Sequence, residues 1–270
     1  MKTTIVAALL AMLCMNAAWA QADDNVSCAN VPAEAAIPYC DRAIASGQYR
    51  GHDLVGLYIN RAIRYAYLKD FRRALADDSE AIRLEPGYAK SWNNRGSVYT
   101  DLKDYNRALA DYNEAIWLDP KYANAYNGRG LAASMLGAQD AAIGDFNRAI
   151  QLDAKAVLAY YNRGIAYLRK KDYSRAIADF SQSNQMAPQA WQPLRGRGAA
   201  YLAAGKYDNA LADFERILAN DPSSAEGLYG RGLVRLRKGD GGGGSRDIAA
   251  AKAAKPDIVE EWTRDGIAAK

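Results

Sequence analysis

Six arginines recur at a constant interval, each is followed sixteen positions later by an aspartate, and both kinds of side chain could bind a charged ligand. The arginines, 34 positions apart, are Arg61, Arg95, Arg129, Arg163, Arg197 and Arg231, and the aspartates are Asp77, Asp111, Asp145, Asp179, Asp213 and Asp247. Arginines alone could line a basic groove for phosphate, because a guanidinium group binds phosphate bidentately. A matching aspartate for every arginine favours structural ion pairs between helices instead.

Few other residues could support catalysis or bind a metal. His52 is the only histidine, and no Ser-His-Asp or Cys-His arrangement can be assembled around it, so we interpret it as a surface residue. One histidine and two cysteines that are expected to pair do not make a metal site of the usual ligands. The glycine run at 241–244 lacks the lysine of a phosphate-binding loop. The sequence therefore predicts no enzymatic activity, no metal site and no cofactor.

Other residue types recur at the same interval, so most of the chain is built from one repeated unit. Every arginine except the first is followed by glycine, and alanine, proline and a bulky residue form columns of their own. The alanines are Ala74, Ala108, Ala142, Ala176 and Ala210; the prolines are Pro86, Pro120, Pro188, Pro222 and Pro256; the bulky residues are Tyr112, Phe146, Phe180, Phe214 and Ile248, with Asp78 as the exception. A fixed period in this range predicts one supersecondary unit stacked many times.

With these columns in register, residues 55–256 resemble the tetratricopeptide repeat (TPR) family. The resemblance implies an all-α fold, a right-handed α-solenoid of about six stacked helix pairs with an N-terminal half-repeat cap and a C-terminal capping helix. The implied divisions are a cap segment at 21–54, repeats at 55–88, 89–122, 123–156, 157–190, 191–224 and 225–256, and a capping helix at 257–270. Such an array offers an extended concave surface.

The residues of a single repeat account for a helix pair. Apolar and small residues recur at helical spacing over 89–102 and again over 105–118. Gly96 and Ala108 are small where the two helices must approach closely. Pro120 stops the second helix, because proline removes a donor and disfavours helix in the residue before it. In an antiparallel pair, each arginine and its aspartate lie at similar distances from the turn, which predicts their contact.

The first twenty residues have the form of a secretory signal peptide. Lys2 precedes an apolar run at 5–15 and the small-residue pattern Ala18-Trp19-Ala20. The run is too short to span a membrane, so cleavage after Ala20 is expected to give a periplasmic or secreted protein without an integral membrane segment. Loss of Lys2 lowers the formal charge from +4 to +3. No concentrated basic stripe indicates a nucleic-acid partner.

The mature chain holds two cysteines, Cys28 and Cys40. An even number in an exported chain predicts a disulfide, which could stabilise the fold by about 3 kcal/mol. The alternative is a pair of free thiols, with Cys40 simply occupying the small-residue column 34 positions before Ala74.

Both ends of the array are expected to differ from the repeats. A helix at 33–46 is interpreted as the second half of a degenerate repeat and as the N-terminal cap. Each glycine costs roughly 1 kcal/mol against alanine inside a helix. The run at 241–244 therefore predicts that the last second helix starts late, near Ser245, and continues to about Lys255.

A final helix is expected after the last proline of the repeat. Asp257 can cap this helix, with Glu260 completing the capping pattern. Trp262 is expected to pack back onto the last repeat.

The candidate binding residues lie one and two positions before the repeated arginine. In the TPR family the first helix of each pair lines the concave surface. The candidates on it are Asn93, Asn94, Asn127, Tyr161, Asn162, Arg195 and Tyr229. Asparagine both donates and accepts, which suits the backbone of an extended peptide, although these side chains could equally satisfy local helix contacts. Tyr161, Arg195 and Tyr229 are expected to contribute most, and alanine at Tyr161 and Arg195 should leave stability nearly unchanged.

Together these features predict a non-catalytic scaffold or adaptor in the cell envelope that binds a partner protein or an extended peptide in the concave groove. Resemblance to exported bacterial TPR proteins implies a partner such as an envelope enzyme, for example a murein hydrolase. The alternative is a periplasmic carrier of an apolar or glycan ligand in the same groove. Arg195 is followed one turn later by Ala199, which departs from the pattern of TPR domains that grip a C-terminal carboxylate.

Overall fold

The computed structural model describes residues 24–266, and across them the chain forms helices and no strand. The helices are α1 (24–30), α2 (Ala33–Ala45), α3 (Gly51–Tyr67), α4 (Phe71–Leu84), α5 (Ala89–Asp101), α6 (Tyr105–Leu118), α7 (Ala123–Met135), α8 (Gln139–Leu152), α9 (Val157–Arg169), α10 (Tyr173–Met186), α11 (Trp191–Ala203), α12 (Tyr207–Asn220), α13 (Ala225–Arg237), α14 (Gly241–Ala254) and α15 (Ile258–Arg264). The predicted all-α class of stacked helix pairs is confirmed. The predicted signal peptide at 1–20 lies outside the described residues.

The chain divides into two compact units. Unit 1 is Met1–Gly128 and unit 2 is Arg129–Lys270, so the boundary falls within α7. In unit 1 each helix from α2 to α6 packs on the next, and α3 also contacts α5. In unit 2 the same is true from α8 to α14, with further contacts of α9 with α11 and of α11 with α13. The first helices of successive pairs therefore lie side by side within each unit.

A left-handed residue makes the turn inside every helix pair. These residues are Lys69, Lys103 and Lys171, with φ of 60 to 61°, and Gly137, Gly205 and Gly239, with φ of 74 to 91°. In four of the pairs the next residue is an aspartate whose side chain accepts the backbone N–H three positions on. These aspartates are Asp70, Asp104, Asp172 and Asp240. The turn and the N-cap together start the second helix at a fixed point.

The glycine run does not delay the last second helix, so this prediction was wrong. α14 begins at Gly241, because Asp240 caps it and accepts the Gly243 N–H at 2.8 Å. A Cβ at Gly244 would come within 2.8 Å of the Gly232 carbonyl oxygen and of the Leu236 side chain. The close packing of α14 on α13 therefore requires glycine there, and the cap and the packing outweigh the low helix propensity.

The bulky column forms the core between successive pairs. Phe180 lies against Gly164 of its own pair and Gly196 of the next, and a Cβ at Gly196 would come within 2.5 Å of the ring. Phe214 lies in the same way between Gly198 and Gly230. In unit 1, Tyr112 lies between Gly96 and Gly128. Paired glycines admit one ring between two repeats, which explains why the two residue types recur together.

The N-terminal cap consists of α1 and α2. The structure joins Cys28 to Cys40, with their Cα atoms 4.8 Å apart, consistent with the expected disulfide. Arg42 pairs with Asp24 at 2.6 Å, and Arg64 of α3 donates to the Ala29 carbonyl. These contacts hold α1 against α2 and against the first helix of the array.

Candidate functional site

All six repeated arginines are engaged by their aspartates. In every pair the Nε and Nη2 atoms donate to the two carboxylate oxygens at 2.6 to 2.9 Å. The predicted ion pairs between helices are confirmed. Each aspartate occupies the Nε and Nη2 donors of its arginine, which are donors that a bidentate phosphate could otherwise use. We therefore assign these arginines a structural role.

The same arginines also connect successive helix pairs. In several repeats the third nitrogen, Nη1, also donates to the second helix of the preceding pair. The contacts are Arg61 to Asp41 at 2.6 Å, Arg95 to Ser79 at 3.4 Å, Arg163 to Asn147 at 2.6 Å, and Arg197 to Ser181 at 3.2 Å. Each of these arginines therefore joins three helices.

Burial and hydrogen bonding shift the pKa values of the first and last aspartates of this series in opposite directions. Burial raises the pKa of Asp77 although Arg61 donates to it. At Asp247 the hydrogen bond from Arg231 dominates and lowers the pKa. Asp247 also accepts from Arg235 at 2.8 Å, and this second guanidinium helps to lower its pKa.

The predicted binding residues of unit 1 lie on a surface with exposed side chains. Asn93, Asn94 and Asn127 are half-buried. Beside the first two, Ser97 is exposed, and Tyr67 on the neighbouring first helix is 78 % exposed. We call this surface, made by Ile63, Tyr67, Asn93, Asn94, Ser97 and Asn127, the inner face of unit 1.

A cavity of about 120 Å³ opens on this face. Asp78, Asn94 and Ser97 are its polar lining, and Ala62, Ile63, Ala66 and Val98 are its apolar lining. Both carboxylate oxygens of Asp78 and the Nδ2 atom of Asn94 are buried and have no hydrogen-bond partner in the described chain.

The predicted binding residues of unit 2 are in a different environment. Arg195 and Tyr229 are each only 3 % exposed, and Tyr161 and Asn162 are half-buried. Arg195 pairs with Asp265 and lies 3.5 Å from Glu261 and 3.7 Å from Glu226. The expectation that alanine at Arg195 leaves stability nearly unchanged does not fit this burial, because the C-terminal residues fold over the side chain.

α15 crosses the first helices of unit 2. Trp262 is 1 % exposed, donates from Nε1 to Glu226 at 2.7 Å and meets the Tyr229 ring edge-on at 5.0 Å. At the end of the helix, the Arg264 carbonyl accepts from Arg169 of α9 at 3.2 Å. The predicted packing of Trp262 on the last repeat is confirmed, and the segment reaches two helix pairs further.

The predicted cap of α15 is not formed. The Asp257 side chain accepts no capping hydrogen bond. Lys255 instead binds Glu226 at 2.9 Å and also pairs with Glu261, and Ile258 is fully buried. Tertiary contacts position this short helix, so it does not need the local capping motif.

Several charged residues around Arg195 were not recognised from the sequence. Glu226, Glu261 and Asp265 supply the acidic partners of the buried guanidinium. Burial opposes the charge on Arg195, but Tyr161 and these carboxylates raise its pKa overall. The available signal was Arg195 itself, since it is the only cation in a column otherwise made of asparagine, tyrosine and isoleucine.

Residues 24–266 contain no group of three or more histidine, cysteine, aspartate or glutamate side chains placed to hold a metal ion. None of the helices in this range has the length and apolar character needed to cross a membrane.

Comparison with known families and structures gives one consistent pattern. Two models of the tetratricopeptide repeat match residues 89–122 and 163–227, and a model of the TPR repeat matches 135–171. No curated protein matches the chain.

Similar solved structures include a tetratricopeptide repeat protein from Parabacteroides merdae, with 21 % identity, a TM-score of 0.65, and coverage of 87 % of this chain and 93 % of that one. PilW, a widely conserved type IV pilus biogenesis factor, has 20 % identity, a TM-score of 0.69 and coverage of 78 % and 97 %. YrrB, a TPR protein with an unusual peptide-binding site, has 21 % identity, a TM-score of 0.54 and coverage of 67 % and 93 %. At these identities the likeness shows the fold.

Proposed function

Because the chain belongs to the tetratricopeptide repeat family, we propose that it is a non-catalytic adaptor of the cell envelope that binds an extended segment of a partner protein on the inner face of unit 1. Asn93, Asn94 and Asn127 would hold the backbone of that segment, because each side-chain amide both donates and accepts. Ile63 and Tyr67 would contact its side chains, since exposed apolar and aromatic groups dominate such surfaces.

One observation carries this proposal. Asn93 and Asn127 stand in the same repeat column as Arg195 and Tyr229, 34 positions apart at each step, so they present equivalent surfaces of their repeats. In unit 2 this column is covered by a protein segment, α15. In unit 1 the same column is buried at Ile59, which is 1 % exposed, and half-buried at Asn93 and Asn127, while Tyr67 further along α3 is 78 % exposed. This type of surface therefore accommodates a protein chain in unit 2, and its counterpart in unit 1 carries exposed side chains beside it.

The structure assigns a different role to the other predicted residues. Arg195 and Tyr229 contact the C-terminal segment of the chain itself, and Tyr161 accepts a hydrogen bond from Arg195, so we do not propose that these three residues bind a partner in this conformation.

An envelope location is supported by two features of the sequence and one comparison. The signal-peptide pattern in the first twenty residues and the Cys28–Cys40 disulfide both fit an exported protein. PilW, a pilus biogenesis factor, shares the fold.

The test is capture of partners from the native envelope by the mature protein and its variants. Tyr67→Ala combined with Asn93→Ala should weaken capture at least about tenfold, which corresponds to about 1.4 kcal/mol. Trp117→Ala is the matched control, because Trp117 is 74 % exposed on the second helix α6. Loss of capture in the control alone would place the site on the second helices. A small molecule that co-purifies in native mass spectra, without a protein partner, would favour a carrier instead.

A further inference from the structure

Asp78 interrupts the bulky column of the repeat. Every other described member of that column is an aromatic or isoleucine side chain. Tyr112 shows the usual arrangement in the same unit, since its ring lies between Gly96 and Gly128. In the repeat that contains Asp78, Ala62 and Asn94 stand at the positions of Gly96 and Gly128. The ring is replaced by a carboxylate, and one of the paired glycines by an amide.

This replacement leaves a polar cavity where the other repeats have a ring. Asp78 is fully buried, and neither of its carboxylate oxygens has a hydrogen-bond partner in the described chain. The Nδ2 atom of Asn94 is also unpaired. Both residues line the cavity of about 120 Å³ on the inner face of unit 1, together with Ser97. A buried carboxylate without partners is costly, so this arrangement calls for a ligand that supplies donors.

The lining defines the chemistry of that ligand. Two carboxylate oxygens and the Ser97 hydroxyl are three acceptors, and an ammonium group has three donors in a compact volume. The Asn94 amide can turn to present its oxygen as well, because rotation about its last torsion exchanges O and N. Ala62, Ile63 and Val98 supply an apolar wall, which suits the methylene stem of an alkylamine. The lining of this cavity offers a metal ion only one carboxylate ligand, that of Asp78.

The surrounding charges also favour a cation. Asp77 and Asp111 act on Asp78 with the same sign of charge, and the nearby Arg95 is held bidentately by Asp111. Burial raises the pKa of Asp78 well above its usual range; Asp77 and Asp111 add to the effect, and Arg95 opposes it. A bound cation opposes both influences, so binding and ionisation of Asp78 reinforce each other.

We propose that the cavity beside Asp78 binds a primary ammonium group on a short aliphatic stem, carried either by a small alkylamine or by a lysine side chain of the partner. The lysine version rests on the proposed function of the inner face. The small-molecule version does not.

The experiment is an NMR titration of the full mature protein with n-butylammonium chloride at constant ionic strength. We expect saturable shifts of backbone amides at residues 62–66 and 94–98. Asp78→Asn, which keeps the shape and removes the charge, should weaken binding at least about tenfold, because charge-assisted hydrogen bonds are about twice as strong as neutral ones. Asp101→Asn is the matched control, an exposed carboxylate on α5, and should leave the affinity unchanged.

Three further arms of the experiment decide the interpretation. Equal binding of uncharged n-butanol, or absence of saturation with butylammonium, would overturn the proposal. Asp78→Tyr with Ala62→Gly and Asn94→Gly reproduces the neighbouring repeats and should abolish binding while the protein stays folded, which separates loss of the site from loss of structure. A capped lysine peptide that binds tighter than butylammonium, while its norleucine analogue does not bind, identifies a partner's lysine as the source. Binding of butylammonium alone identifies a free amine, and partner capture then tests the adaptor function separately.

Discussion

At the scale of single residues, charged groups are used in two opposite ways. The repeated arginines are each matched to one carboxylate in bidentate geometry, and their side chains are mostly buried, as at Arg163 and Asp179 with 18 % and 8 % exposure. Asp78 is buried, and neither of its carboxylate oxygens has a hydrogen-bond partner within residues 24–266. Removing one partner of an Arg–Asp pair should therefore lower the free energy of unfolding, while neutralising Asp78 should raise it.

The ion pair of Arg163 with Asp179 should be strongly coupled. Arg163→Ala leaves a buried carboxylate unpaired and also removes the contact with Asn147, so we expect a loss of roughly 1–4 kcal/mol in the free energy of unfolding. Arg163→Ala and Asp179→Ala should be non-additive in a double-mutant cycle measured by urea unfolding. Arg175→Ala, which removes an exposed pair, is the control and should have little effect. Additive losses would show that the two residues do not interact.

Asp78 should make the protein less stable as the pH rises. The folded state keeps the proton at pH values where the unfolded chain, with a pKa of about 3.9, has lost it. Unfolding free energy therefore falls from about pH 4 up to the raised folded pKa. Urea unfolding of the wild type and Asp78→Asn over this range should give a difference that grows with pH in favour of the variant. A difference independent of pH would mean that Asp78 has an ordinary pKa.

At the scale of elements, glycine positions separate packing from helix propensity. Gly196 in α11 and Gly144 in α8 are both interior helix residues. A Cβ at Gly196 would meet the Phe180 ring at 2.5 Å, whereas a Cβ at Gly144 would meet nothing within 4 Å.

Gly196→Ala should therefore destabilise unit 2 by about 1–3 kcal/mol, because overpacking forces the ring to move. Gly144→Ala should stabilise by up to about 1 kcal/mol through helix propensity alone. Thermal unfolding of the two variants measures this contrast. Stabilisation by both would mean that the ring between the repeats can adjust without strain.

The C-terminal helix should depend on its aromatic anchor. Trp262→Ala removes a ring that is 1 % exposed and contacts Phe214 and Tyr229, so we expect a loss of about 3–5 kcal/mol and faster proteolysis after residue 255. Trp191→Ala, at a side chain that is 40 % exposed, serves as the control. Equal effects of the two substitutions would show that α15 is not a fixed part of unit 2.

At the scale of the whole molecule, the fold could be predicted from the sequence because the residues that make each contact recur in several repeats. The Arg–Asp interval, the small residues and the prolines all agree on one helix pair, and the structure confirms the helices they predict. The ends were predicted less well. At Gly241–Gly244, helix propensity indicated a late start, but the Asp240 cap and close helix packing decide the outcome.

The candidate site could be predicted only in part, for a physical reason. Repetition identifies which side chains share a column but says nothing about segments outside the repeats. The fold-back of α15 over Arg195 depends on the long-range contacts of Trp262 and Asp265, which no periodic pattern records. The departure of Asp78 from its column was visible in the sequence, yet its burial without a partner appears only in three dimensions.

Site-specific photo-crosslinking in the native envelope shows whether a partner protein lies on the inner face of unit 1. A photoreactive amino acid placed at Tyr67, on the inner face of unit 1, and one placed at Trp117, on a second helix of the same unit, have similar exposures of 78 % and 74 %. We expect one partner protein to crosslink at position 67 and not at position 117, and the crosslink to weaken with Asn93→Ala. Crosslinking of that partner at position 117 alone would contradict the assignment of the inner face as the binding surface.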